Sequence, residues 1–270
     1  MQSGSASQAR SVLSWENGVV RRVRDQLAVE EPLQLRVDTA PFVVTMRTPG
    51  NDDELAAGFL FTEGVIQTRR DLLRLAPFPR NADGNVLDVF LRPSPARDHQ
   101  RPARRFLSAS SCGLCGKTAL EEIHRHLPKV RSPLRCRAET LLRIAPALRE
   151  QQAVFNRTGG LHAAALFNSR GRLVVMREDI GRHNAVDKVV GYGLLGGRLP
   201  FNRHLLLVSG RASFEILQKA LAAGIAMVAS VSAPSHLAVA FAQRSGQTLV
   251  GFLREERFNV YTHPERVRFR

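Results

Sequence analysis

Cysteine is almost absent from the chain. Three in 270 residues are too few to staple a fold, which excludes a disulfide framework and points to a reducing compartment. Long apolar runs are missing too. The most apolar region, Ile216 to Ala242, is broken by Gln218, Lys219, Pro234, Ser235 and His236, so it reads as buried helix and strand rather than a membrane span. The opening MQSGSASQAR has no apolar stretch of the signal-peptide kind and reads as a frayed polar tail. A cytoplasmic protein with no membrane partner is the expectation. Aromatic rings are few, with one Trp and two Tyr, and this argues against a single-strand nucleic-acid binder, which needs stacking platforms. Lysine is confined to Lys117, Lys129, Lys188 and Lys219, so the formal charge of +15 is carried almost wholly by arginine. Such a surface attracts polyanions: nucleic acid, nucleotides or an acidic protein. Arginine enrichment through genomic base composition would leave the same mark, because charge sets steering and solubility rather than chemistry.

What is present is a chain that is 44% hydrophobic, enough for one large domain with a small appendage. Residues 1–17 are expected as a disordered tail. Residues 18–105 form a β-rich part, with extended patterns in GVVRRVRDQL, PLQLRVD, PFVVTMRT and NVLDVFLR, ending in the Pro/Arg-rich loop PSPARDHQRPARR. Within it, GNDDELAAGFLFTEGVI starts a helix, with Asn51 as the predicted N-cap and Glu54 completing a capping box. Residues 106–158 hold a cysteine loop and helices. From residue 159 onward, LHAAALFN, LVVMRED, RHLLLVSG, IAMVASVSAP and QTLVGFLRE read as short strands. They alternate with helices at HNAVDKVVGYGLL, SFEILQKALAAG and SHLAVAFAQRSG, the pattern of an α/β sheet covered on both faces.

Chemistry concentrates in a few stretches. SSCGLCGKTALEEI places Cys112 and Cys115 on a Gly-containing loop at a predicted helix N-terminus. That position and Lys117 favour the thiolate, and Gly113 and Gly116 leave the sulfurs uncovered. A zinc site would have to recruit His124 and His126, a spacing that fits no common zinc pattern. A thioredoxin-like site would put the pair after a first strand rather than in mid-chain. Cys136, alone in PLRCRAE, reads as inert. GGLHAAAL has the histidine of a zinc deaminase signature, His162, but Ala164 stands where the general acid/base Glu belongs, so deamination is excluded. REDIGRHNAVDK crowds Glu178, Asp179, Arg182, His183, Asn184, Asp187 and Lys188 at a strand-to-helix turn, where ligands dock in open α/β sheets. A solvated turn with a well-capped helix would carry similar residues. SGRASFE repeats the strand–Gly–Arg–helix theme and suits an anion, with Ser209 and Arg211 beside it.

Taken in order, C-G-x-C-G, G-G-x-H-A-A-A, E-D-I-G-R-H-N-A-x-D-K, S-G-R-x-S-x-E, L-V-G-F and V-Y-T-H-P resemble the formate dehydrogenase accessory sulfurtransferase family (FdhD), from about Gly18 to the C-terminus. The resemblance implies an α/β fold, a cytidine-deaminase-like three-layer α/β/α sandwich with a smaller N-terminal β-rich part and without the deaminase zinc. It implies a cytoplasmic homodimer that matures formate dehydrogenase. A cysteine desulfurase would pass persulfide sulfur to Cys112, with Cys115 assisting or resolving. The recipient would be a molybdenum (or tungsten) bis-guanine-dinucleotide cofactor bound as substrate, with no structural metal. The cofactor-binding residues implied are Phe252, Leu253, Arg254, Glu255, Glu256 and Arg257, together with Ser209, Arg211, His162, Asp179, Arg182 and His183. Strands ending at Asp179, Gly210 and Phe252 are expected to bring them to one edge of a parallel-rich sheet. The partners implied are the desulfurase, the catalytic subunit of formate dehydrogenase and guanine nucleotides, with no nucleic acid. The alternative from another class is a non-catalytic chaperone that escorts the cofactor.

Overall fold

The computed structural model describes residues 5–79, 84–93 and 129–269. The expectations for Cys112 and Cys115 lie outside the described residues.

The chain opens with a two-stranded antiparallel ribbon, β1 (Ser7–Glu16) and β2 (Val19–Ala28). Asn17 and Gly18 form its two-residue turn, both at positive φ (50° and 83°), as the hairpin twist requires. Residues 7–16, expected as part of a disordered tail, are therefore a strand. Their Ser/Arg-rich composition hid a period-2 pattern (Val12, Ser14, Leu13, Trp15) that the Asn-Gly turn pairs with β2.

A four-stranded sheet follows, in the order β4 (Ala40–Arg47), β3 (Glu31–Val37), β6 (Val86–Leu91), β5 (Leu72–Pro77). Helix α1 (Asp52–Thr62) covers it, joining Leu55, Ala56 and Leu60 to Leu33, Leu35, Leu87 and Val89 in one core. Asn51 does precede the helix, but at φ 57° and without a side-chain cap bond. The capping box fails because Glu54 is used elsewhere: its carboxylate binds Arg177 Nε and Nη2 at 2.5 and 2.7 Å.

The larger unit is built on a six-stranded sheet in the order β13 (Asn259–Thr262), β12 (Thr248–Gly251), β11 (Met227–Ser230), β10 (His204–Val208), β8 (His162–Asn168), β9 (Leu173–Asp179). A short pair, β7 (Cys136–Arg137) and β14 (Val267–Arg268), stands apart. Alternate residues of β8 part to opposite faces. Ala164 and Leu166 pack on α4 (Arg182–Leu195), α5 (Phe214–Ala222) and α6 (His236–Ser245), whereas Ala163, Ala165 and Phe167 pack on α2 (Ala138–Gln151). The period of two thus makes three layers, helix on sheet on helix. The sheet is mixed rather than parallel-rich: β10, β11 and β12 run parallel, but β8 and β13 run antiparallel to their neighbours. Short hairpin connections, such as the turn between β8 and β9, impose this.

The two sheets are joined through α1 and α4. At their crossing a Cβ on Gly58 would lie 1.8 Å from the Asp187 carbonyl oxygen, and one on Gly191 1.8 Å from that of Glu54, so only glycine allows the backbones this close. Two buried ion clusters accompany the crossing. Lys188 meets Asp179 at 2.7 Å, and Lys219 meets Asp187 at 2.9 Å and Glu63 at 3.2 Å. Burial raises the pKa of Asp187 despite its lysine. Burial also disfavours the Lys219 ammonium, yet the Asp187 and Glu63 carboxylates offset this and hold its pKa above the ordinary lysine value. None of the helices among the described residues is long and apolar enough to cross a membrane.

Candidate functional site

β9 runs antiparallel to β8, and β8 antiparallel to β10, so β9 points the same way as β10, β11 and β12. Asp179, Val208, Ser230 and Gly251 therefore end at one side of the sheet, where β8 begins at His162. The three stretches centred on Asp179, Gly210 and Phe252 do converge there, as open α/β sheets favour for ligand sites.

A cavity of about 670 Å³ opens at this side. Its floor is made by His162, Ser209, Val231, Leu253, Arg254 and Glu255. Its wall is made by α2 and α3 (Ala153–Thr158), through Pro146, Arg149, Gln152 and Phe155, and by the Gly159–Gly160 turn. The wall is fixed by Glu178, whose carboxylate accepts from the backbone N–H groups of Val154 and Phe155 at 3.0 and 2.8 Å, at the start of α3. Arg149 lies over the Phe155 ring, 4.4 Å from its centroid. Ser209 Oγ accepts from Ala163 N at 2.8 Å, which leaves its hydroxyl hydrogen available as a donor.

Beside the cavity, positive charge gathers around His162. Gly210 backs onto it so closely that a Cβ there would lie 3.2 Å from His162 Nδ1 and 3.6 Å from Arg182 Cβ. Burial lowers the His162 pKa, and Arg182, His183 and Arg211 lower it further, with Asp179 acting the other way. The charged form of His162 is thus disfavoured, in a field that favours an anion. The Nε of Arg182 is buried without a hydrogen-bond partner. His183 Nε2 meets Glu215 Oε2 at 2.8 Å, and this hydrogen bond is the main cause of the lowered Glu215 pKa.

The sequence-predicted residues divide. His162, Ser209, Leu253, Arg254 and Glu255 line the cavity. Arg182 and Arg211 form the cationic border near His162, with His183 beside them. Leu253 is fully buried and anchors the loop, while Arg254 donates to the Val231 and Leu253 carbonyls. Phe252, in a left-handed conformation at φ 52°, and Glu256 and Arg257 are exposed outside the lining. Asp179 is 0% exposed. Its oxygens are taken by Lys188, Thr48 N, Gly181 N and Asn184 Nδ2. It shapes the turn from beneath and has no face toward the cavity. Sequence reading missed Pro146, Arg149, Gln152 and Phe155. They carry no motif, and only the place of their helix just before G-G-x-H hinted at them. Among the described residues no group of three His, Cys, Asp or Glu side chains could hold a metal ion.

The FdhD/NarQ family model matches residues 28–268. The protein named sulfur carrier protein FdhD from Mycobacterium tuberculosis is 50% identical over 254 residues, covering 90% of this chain and 92% of its own length. Its namesake from Streptomyces coelicolor is 47% identical over 275 residues, covering 99% and 98%. A crystal structure from Desulfotalea psychrophila, assigned as a formate dehydrogenase accessory protein, superposes with a TM-score of 0.79 at 27% identity, over 98% of this chain and all of that one. The chain belongs to the FdhD/NarQ family.

Proposed function

We propose that the chain is a sulfur carrier in formate dehydrogenase maturation, taking sulfur onto Cys112 and delivering it to a molybdenum or tungsten bis-guanine-dinucleotide cofactor held as substrate at the strand ends. The observation that carries the reading is the end-to-end likeness to relatives named sulfur carriers, 47% identical over 99% of the chain in the Streptomyces coelicolor case. The partners in this reading are a cysteine desulfurase as donor and the catalytic subunit of formate dehydrogenase as client, with a homodimer as the working form.

The geometry supports the substrate assignment. Phosphates suit the border of Arg182, Arg211, His183 and His162, where one guanidinium nitrogen is buried without a partner. A purine fits the cavity beside the Arg149–Phe155 pair. Glu255 in the lining can accept from guanine N1–H and the adjacent exocyclic amine together, a donor pair that adenine, whose N1 is an acceptor, lacks. Ser209 supplies a donor. Asp179 acts as a positioning residue through Asn184 and the Gly181 turn.

The sulfur chemistry balances with the two cysteines. The Cys112 thiolate attacks the outer sulfur of the desulfurase persulfide, a new S–S bond forms, and the desulfurase thiolate leaves with no net redox change. For delivery, the Cys115 thiolate attacks Cys112 Sγ and expels hydrosulfide toward the cofactor metal. The Cys112–Cys115 disulfide formed accounts for the two electrons the sulfur gains, and a cellular dithiol reductant resets it.

Cys112→Ala tests the reading. It should keep guanine-nucleotide binding and abolish formate dehydrogenase activation in cells lacking the wild-type copy. Full activation by the variant would contradict sulfur transfer and leave the cofactor-escort chaperone in its place.

A further inference from the structure

Among the described residues, the β1–β2 ribbon is the most openly exposed element. At about 3.4 Å per residue its ten-residue strands reach on the order of 30 Å. Leu13, Trp15 and Val20 are 67%, 71% and 61% exposed. The register sets Ser11 opposite Arg24, Leu13 opposite Arg22 and Trp15 opposite Val20. One face of the ribbon thus presents three large apolar side chains and two arginines, with no acid among them. A ribbon of two strands is marginal in water by itself, and bare apolar strands invite association.

The root of the arm is built into the site. Ala28 packs against Gly160 of the cavity wall, where a Cβ would come within 3.1 Å of it. The Val29 carbonyl accepts from Thr48 Oγ1 at 3.0 Å, and Thr48 N and O bind Asp179 and Lys188 in turn.

We infer that the arm is the docking element for a protein client whose contact surface is an acidic rim around an apolar cleft. On the reading above, that client is the apo catalytic subunit of formate dehydrogenase. Charge complementarity selects this occupant. A second copy is disfavoured on this face, because a symmetric pairing of it would set Arg22 and Arg24 against themselves. A nucleic acid would use the arginines but has no use for Leu13 and Val20, and it would find one aromatic ring in the arm. Docking here places the client beside the cavity that holds the cofactor to be handed over.

The test uses the full chain and three readouts: affinity for the purified apo catalytic subunit, the thermal shift with GDP, and mass in solution. Leu13→Ser/Trp15→Ser/Val20→Ser should weaken the client affinity at least about tenfold and leave the GDP shift unchanged. Arg22→Glu/Arg24→Glu, which keeps the apolar groups, should weaken it about tenfold as well and flatten its salt dependence. Variants that bind the client like wild type overturn the inference. So does a change in mass with client affinity intact, which puts a second copy on the arm, or a loss of RNA binding with client affinity intact. Failure of the wild-type chain to bind the client removes the inference and the client assignment together. Full activity of Cys112→Ala with loss of docking in the arm variants removes only the sulfur chemistry.

Discussion

Lys188 Nζ lies 2.7 Å from Asp179 Oδ2, with both side chains shut away from water. The same ammonium donates to the Thr48 carbonyl at 3.0 Å, and Asp179 accepts from Thr48 N at 3.3 Å. One ion pair therefore locks the end of β4 onto the β9–α4 turn that carries Arg182 and His183. Both partners belong to the stretch REDIGRHNAVDK, so the densest motif in the sequence is half scaffold and half site.

Removing one partner of such a pair leaves an unpaired charge in the interior, which costs about 3–5 kcal/mol. Lys188→Met should lower unfolding stability by that amount in urea titration. A loss under about 1 kcal/mol would mean that the pair contributes little and that the turn is held by its backbone bonds.

Much of the larger sheet was legible. LVVMRED coincides with β9, and the helices predicted at 183–195 and 235–246 appear at Arg182–Leu195 and His236–Ser245. These segments declare themselves because apolar stretches of strand or helix length are bounded by glycine, proline and polar residues. Burial was not legible. Asp179 reads as a ligand contact because a charged residue at a strand end looks the same in sequence whether it meets a ligand or another buried charge. Of the arm, β2 was legible in GVVRRVRDQL, whereas β1 was missed because its Ser/Arg-rich composition reads as a polar tail. Phe155 and Arg149 were missed because a cavity wall needs shape rather than a motif.

His162 links nucleotide binding to pH. Its folded pKa lies below the ordinary value through burial first, then Arg182, His183 and Arg211. Below about pH 6.5 the unfolded chain takes up a proton that the folded chain resists, so this residue costs stability as pH falls through that range. A phosphate bound beside it favours the imidazolium, so binding takes up a proton and GDP affinity should rise about twofold to fivefold from pH 7.5 to 6.5. His162→Gln should flatten that rise, which separates it from titration of the phosphate itself. Equal slopes for the two proteins would place the phosphates away from His162.

The cavity predicts base selectivity. GDP at a hundredfold excess over its dissociation constant should stabilise the chain by about 2.7 kcal/mol. Phe155→Ala should weaken GDP binding by about 1–3 kcal/mol through lost stacking, and Arg254→Ala should also reduce the shift. Arg10→Ala, on the arm, should not. Glu255→Gln should erase the preference for GDP over ADP. A shift indifferent to Phe155, Arg254 and Glu255 would move the nucleotide out of this cavity.

The central claim, that this chain carries sulfur on Cys112, is tested most directly by intact mass and peptide mapping after incubation with a cysteine desulfurase and cysteine. Cys136 is the internal control: it is 0% exposed, and burial pushes its thiol up to about 11, so it stays protonated and out of reach. The account predicts a gain of one sulfur, removed by reductant, on the peptide containing Cys112 and lost in Cys112→Ala. No gain, or a gain that maps to Cys136, would contradict it.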